Sequence, residues 1–219
     1  LLLLLSHHLV TDHTTLEVVF AEVQSHLLGE QSRLREPVPF RNFVAQSRRG
    51  VSQAQHEEYF RRVLGDIEES TAPYGVLDVR GDGSDVTEHR QLLPEELSRQ
   101  LRQSARAAGV SVASVCHLAW GQVLSRLTGR EEVVFGTVLF GRMQAGAGAE
   151  QAVGLFINTL PLRVTIDTSS VEQGLRQTHE RLGELLSHEH ASLSLAQRCS
   201  GVPSPAPLFT TLLNYRYNR

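Results

Sequence analysis

The chain has 219 residues, 41% of them hydrophobic and 21% charged, with a net charge of −3. That length suffices for one large domain or two small lobes with a core, and the charge lacks the basic excess that nucleic-acid binding requires. Two cysteines, Cys116 and Cys199, are too few for a disulfide framework or a metal set, which fits the reducing cytosol.

Residues 1–5 are all leucine. The run is far shorter than the roughly 20 apolar residues of a membrane span, and it lacks the basic flank of a signal peptide. It is predicted to be a buried strand. A chain that opens without Met inside a strand reads as cut from a longer polypeptide. His7 and His8 follow, then Asp12 four residues after the second histidine. Successive side chains at a strand end point to opposite faces, so the two histidines cannot easily serve one site together. A neutral imidazole suits proton transfer near neutral pH.

Leu16, Val19, Phe20, Val23 and Leu27 fall at helical spacing, with Thr14 or Thr15 able to cap the start and Gly29 supplying a stop. Pro37 and Pro39 open a second helix through Phe40, Phe43 and Val44, and a third covers about 53–67. Residues 70–85, with Pro73, three glycines and three aspartates, mark a lobe boundary or linker. A strand is predicted over 89–93, helices from Pro94 to Gly109 and from Ser111 to about Leu127, and an apolar strand over 133–140. Cys116 reads as a small core residue. The segment Ala145, Gly146, Ala147, Gly148 reads as a flexible loop, because it lacks phosphate-loop spacing and a following lysine. An alternating strand over 158–166, helices over 169–186 and 191–199, and a strand over 208–215 complete the chain. Strands separated by helices indicate α/β layering.

His7, His8 and Asp12 form an H-H-x-x-x-D pattern, and residues 153–159 read V-G-L-F-I-N-T, with Pro161 and Arg163 beyond. Together they resemble the ordered motifs of the condensation domains of non-ribosomal peptide synthetases. More distantly, the first resembles the H-x-x-x-D motif of chloramphenicol acetyltransferase-like enzymes. Phe135, Gly136 and Thr137 leading to Gly141 and Arg142 are similar to the family's strand and G-R turn. Residues 39–44, 188–192 and 205–209 match its weaker motifs loosely.

The resemblance implies an α/β, two-lobed acetyltransferase-like sandwich with the N-terminal lobe incomplete. Residues 1–70 would be the tail of that lobe, carrying the H-H-x-x-x-D motif, and 75–219 the C-terminal lobe. It implies a cytoplasmic acyltransferase of secondary metabolism, for instance antibiotic biosynthesis, that joins carrier-bound thioesters into an amide within a tunnel between lobes. His8 would be catalytic, orienting and deprotonating the acceptor amine. Asp12 would form a structural salt bridge, and His7 would be a structural neighbour. No cofactor is bound directly; the thioesters ride on the 4′-phosphopantetheine arms of donor and acceptor peptidyl carrier proteins, with an adenylation domain adjacent. Nucleic acid and membrane are not expected partners.

Two positions depart from the family pattern. His13 stands where the family usually has glycine, so it must adopt a strained backbone or the loop differs. The family's arginine partner for the motif aspartate precedes the motif, and Arg142 is the best substitute within this chain. Asp12 as a solvated loop carboxylate or a helix N-terminal charge is the plain alternative. A metal site at His8, Asp12 and His13 lacks a further placed ligand. Asn158, in an apolar segment, needs a partner if buried. His188 and His190 read as surface residues. An epimerization domain is the alternative activity, although those domains commonly continue with Ser-Trp where this chain has Thr14-Thr15-Leu16. A catalytically inactive recognition module is the non-enzymatic alternative. Residues 1–219 alone are expected to be inactive.

Overall fold

The computed structural model describes residues 3–77, 84, 86–142 and 148–216. Leu1, Leu2, Gly81, Gly83, Asp85 and the Ala145–Gly146–Ala147 part of the proposed loop lie outside the described residues. The chain forms two compact units. One contains Leu1–Gln55 and Leu139–Asn158; the other contains His56–Val138 and Thr159–Arg219. The first unit therefore takes up a segment that follows residue 138.

In the first unit, helix α1 runs His13–Leu27 and α2 runs Phe40–Arg49. Asp12 caps α1, its side chain accepting from the Thr15 N–H, which displaces Thr14 and Thr15 from the expected capping role. Pro39 sits at the N-cap of α2, where a missing N–H costs nothing. The leucines at 3–5 are 78%, 47% and 87% exposed and form no strand. The buried-strand expectation fails there because these residues have no neighbouring strand among the described residues to satisfy their backbone groups. Leu27 and Phe20 are likewise exposed, so the apolar stripe of α1 is covered only in part.

Helix α3 (Gln53–Leu64), which belongs to the second unit from His56 onward, ends earlier than residue 67, and α4 (Glu95–Ala107) and α5 (Val112–Thr128) follow in that unit. The Ser111 hydroxyl caps α5 by accepting from the Ser114 N–H, and Gly129 closes it in the left-handed region at φ 70°. Residues 89–93 are irregular and exposed, not a strand. Strand β1 (Glu132–Leu139) is the middle of a sheet ordered β2-β1-β3, with β2 at Asn158–Thr165 and β3 at Leu212–Leu213 parallel to β1. The expected 208–215 strand thus shrinks to two residues, with Thr71 and Phe209 making only an isolated bridge. Val133, Val134 and Phe135 are almost wholly buried in succession, as a strand covered on both faces requires.

Helices α6 (Val171–Ser187) and α7 (Leu193–Arg198) complete this unit. Helix α5 packs against α4 and α6 and lies directly on β2, because a Cβ at Gly121 would meet Val164 at 2.9 Å. Across α5 and β1, the buried His117 donates from Nδ1 to the Ala113 carbonyl and accepts at Nε2 from the Thr137 hydroxyl. Cys116 is half-buried instead of a full core residue. His188 is also not a free surface residue: it stacks on Tyr59 at 4.0 Å and lies 2.9 Å from His56, Nδ1 to Nδ1. Among the described residues, no single helix is long and apolar enough to cross a membrane.

Candidate active site

The site is built on the turn that precedes α1, all within the first unit. The Val10 N–H donates to the His7 carbonyl, closing the turn, and the Thr11 hydroxyl bonds both that carbonyl and Ser6. His7 and His8 are both exposed, yet their rings are held in opposite proton arrangements. The Leu9 N–H donates to His7 Nδ1 at 3.0 Å, so in the neutral ring the His7 proton sits on Nε2. His8 Nδ1 lies 2.8 Å from the Thr11 carbonyl, which can only accept, so His8 carries its proton on Nδ1. The neutral His8 ring therefore keeps its lone pair on Nε2, the atom suited to take a proton from a nucleophile.

Asp12 is 3% exposed. Its Oδ1 accepts from the Thr15 N–H at 2.9 Å and from Arg142 Nη2 at 2.8 Å, while Oδ2 accepts from the Phe156 N–H at 3.2 Å. Burial alone would push the Asp12 carboxyl up, but these N–H donors and the guanidinium together hold it below the usual carboxylate range. Asp12 is thus a helix cap and an ion-pair partner at once. Neither a solvated loop carboxylate nor a simple end charge describes it.

Arg142 reaches this carboxylate because Gly141, at φ +57°, turns the chain where a Cβ would lie 2.3 Å from the Phe156 carbonyl oxygen. Its Nη1 donates to the Ala149 and Ala152 carbonyls, and its guanidinium lies 3.9 Å over the Phe156 ring. Phe156 in turn packs edge-on to Phe40 and tilted against Phe43. Gly154 runs so close to Phe40 that a Cβ would meet its ring at 2.2 Å.

Of the motif residues singled out from sequence, Asp12 and Arg142 meet directly, and His7 and His8 share the turn beside them. His13 is the first residue of α1 and pairs with Glu17 on the surface; it is not among the residues with positive φ, so the expected strain is absent and the loop differs instead. Asn158 is half-buried at the first position of β2. Thr15, from sequence only a candidate cap, binds Gly154 through its hydroxyl, a contact that no local pattern marks. Among the described residues, no group of three His, Cys, Asp or Glu side chains is placed to hold a metal ion.

This arrangement lies in a chain that matches the condensation-domain family over residues 1–218. The chain belongs to the condensation-domain family. It is 56% identical to malpinin synthetase and 52% identical to malpibaldin synthetase, both of Mortierella alpina, over 98% and 97% of its length. It is also 33% identical to a chondramide synthase of Chondromyces crocatus over 94% of its length. The chain spans only 3–5% of the length of these synthetases. Among solved structures it resembles the first condensation domain of the calcium-dependent antibiotic synthetase, with TM-score 0.75 at 24% identity, covering 97% of this chain and 48% of that one. A second structure of that domain gives TM-score 0.74 at 25% identity, covering 97% and 50%. The fold is therefore the α/β acetyltransferase-like architecture of condensation domains, of which this chain covers about half.

Proposed function

We propose that this condensation-domain segment serves amide-bond formation between carrier-borne aminoacyl or peptidyl thioesters in cytoplasmic non-ribosomal peptide synthesis. The activity belongs to the complete protein, because the chain covers about half of the solved domains it resembles. The observation that carries this reading is the His8 turn: Nδ1 is tied to the Thr11 carbonyl, Nε2 keeps its lone pair, and Asp12, the residue after Thr11, is anchored by Arg142.

In the proposed reaction the acceptor's α-amine attacks the donor thioester carbonyl. A C–N bond forms, the C–S bond breaks, and the thiolate of the donor's phosphopantetheine arm leaves. His8 Nε2 accepts a hydrogen bond from the attacking amine, aligns it, and takes the proton that the new amide sheds. That proton then goes to the departing sulfur. The thioester is already activated, so alignment carries much of the rate and can supply about 7–11 kcal/mol. The partners are donor and acceptor peptidyl carrier proteins, with an adjacent adenylation domain charging one of them.

Asp12 stays ionised against Arg142 and takes no proton; its work is to hold the turn. His7, with its Nδ1 already accepting from Leu9, offers no such lone pair at that atom and acts through local packing.

The test is His8→Ala in the full-length protein, assayed with two loaded carriers. Condensation should fall by about 10²–10⁴, the usual range for acid–base catalysis, with folding and carrier binding retained. His7→Ala should be milder. Wild-type turnover from His8→Ala would refute the assignment and leave a recognition module as the better description. Racemisation of a carrier-bound substrate without amide formation would instead identify an epimerization domain.

A further inference from the structure

Thr15 is wholly buried three residues into α1, and its side chain reaches across to a segment 139 positions away in sequence. Its hydroxyl donates to the Gly154 carbonyl at 2.8 Å and accepts from the Gly154 N–H at 3.0 Å. Both backbone groups of one residue are thereby satisfied by one side chain. Two residues further on, the Phe156 N–H donates to Asp12 Oδ2. Asp12 and Thr15, three apart and so on one face of the helix start, together hold residues 154 and 156 as a neighbouring strand would. Arg142 Nη2 also lies 3.4 Å from the Thr15 hydroxyl, so the ion pair and this second clamp share a corner.

We propose that Thr15 is a positioning residue for the reaction: its hydroxyl locks the 154–156 segment to the first turn of α1, fixing the pitch of the helix start and hence the direction of His8. The proposal rests on the His8 reading given above. The linkage runs through named atoms. The Thr15 hydroxyl fixes Gly154, and the segment beyond it carries the Phe156 N–H to Asp12. The carbonyl that orients His8 Nδ1 belongs to Thr11, the residue next to Asp12. Because Gly154 lies against Phe40 with no room for a Cβ, that segment cannot slide toward the ring to recover its bonds if the hydroxyl is lost. Loss of the hydroxyl therefore loosens Gly154 from α1, and with it the Phe156 amide two residues on.

Thr15→Val removes the hydroxyl at nearly constant volume, and Thr15→Ser retains it. In the full-length protein assayed with loaded carriers, Thr15→Val should lower kcat by about 10²-fold, the scale of a 1 Å misplacement. The KM for the acceptor carrier should stay near wild type. Thr15→Ser should recover the wild-type kcat. A residue that only stabilised the fold would reduce the amount of active protein without this split, and active-site titration by burst amplitude separates the two.

His8→Ala is run alongside. If His8→Ala is fully active, the functional reading has failed, whatever Thr15 does. If His8→Ala is inactive while folded Thr15→Val turns over like wild type, the positioning role is overturned and the functional reading stands. Should Thr15→Val not fold, the Gly154 amide of the wild-type protein decides by hydrogen exchange. Slow exchange, with Thr15→Ser active, upholds the clamp, and exchange at the rate of an exposed loop amide refutes it.

Discussion

Asp12→Ala tests the energetics of the site most directly. The substitution leaves the Arg142 guanidinium, whose side chain is only 11% exposed, without its carboxylate. Removing one member of a buried pair costs about 3–5 kcal/mol. Here Nη1 keeps the Ala149 and Ala152 carbonyls and the ring of Phe156 still lies beneath, which favours the lower end of that range. The α1 cap is lost as well, worth about 1 kcal/mol, and the Phe156 N–H loses its acceptor. The combined loss should be about 4 kcal/mol. With a urea m-value of about 2 kcal/mol/M, the unfolding midpoint of the structure holding this site drops by roughly 2 M. A urea titration followed by far-UV circular dichroism reads this, with amide exchange at Thr15 and Phe156 as local reporters. Asp12→Asn, which retains the cap but not the charge, should lose less. A double variant with Arg142→Met should lose less than the sum of the single changes, because no cation is then stranded. If Asp12→Ala unfolds at the wild-type midpoint yet no longer condenses its substrates, the clamp argument is wrong and Asp12 belongs to the chemistry.

The ionisation of Asp12 gives the same contact a pH signature. Its folded pKa is depressed, so its contribution is present above the unfolded value of about 3.9 and is lost as pH falls below it through the folded value; an acid titration in which Asp12→Asn is less sensitive than wild type below pH about 4 checks this. Burial holds the His117 imidazole below the usual range, with its bond to the Ala113 carbonyl pulling the other way. The neutral ring is therefore favoured in the fold, and stability should decline as pH falls below the unfolded value of about 6.5, by up to about 1.4 kcal/mol per pH unit. His117→Gln, compared between pH 7 and pH 5, should show a smaller decline, and an equal decline would rule His117 out as its source. Gly154→Ala drives a methyl into the Phe40 ring and should destabilise by about 1–3 kcal/mol, read as a lowered Tm; an unchanged Tm would show that the aromatic cluster yields more readily than its packing suggests.

Helices α1, α2, α4, α5 and α6 were legible from sequence because their start and stop residues act locally. Ser111 and Gly129 bound α5 by a side-chain acceptor and a left-handed turn that need no distant partner. The H-H-x-x-x-D and V-G-L-F-I-N-T motifs likewise marked the family, since the order of residues along the chain is all a motif requires. Strands were less legible. Residues 1–5, 89–93 and most of 208–215 have strand-like composition but no ladder among the described residues, and a strand exists only when a neighbour satisfies its backbone.

The sequence by itself determined the order of the motif residues, and through the family resemblance it nominated Arg142 as the partner of Asp12. Only the tertiary structure decided that Asp12 would cap α1, pair with Arg142 and bind the Phe156 amide together, and that Thr15 would grip Gly154 across 139 positions of sequence. Hydrogen bonds at that separation depend on the closed path of the chain, which no local propensity encodes. The proton arrangement that separates His8 from His7 arises in the same way, because the acceptor or donor facing each Nδ1 is placed by the turn and not by the histidine itself.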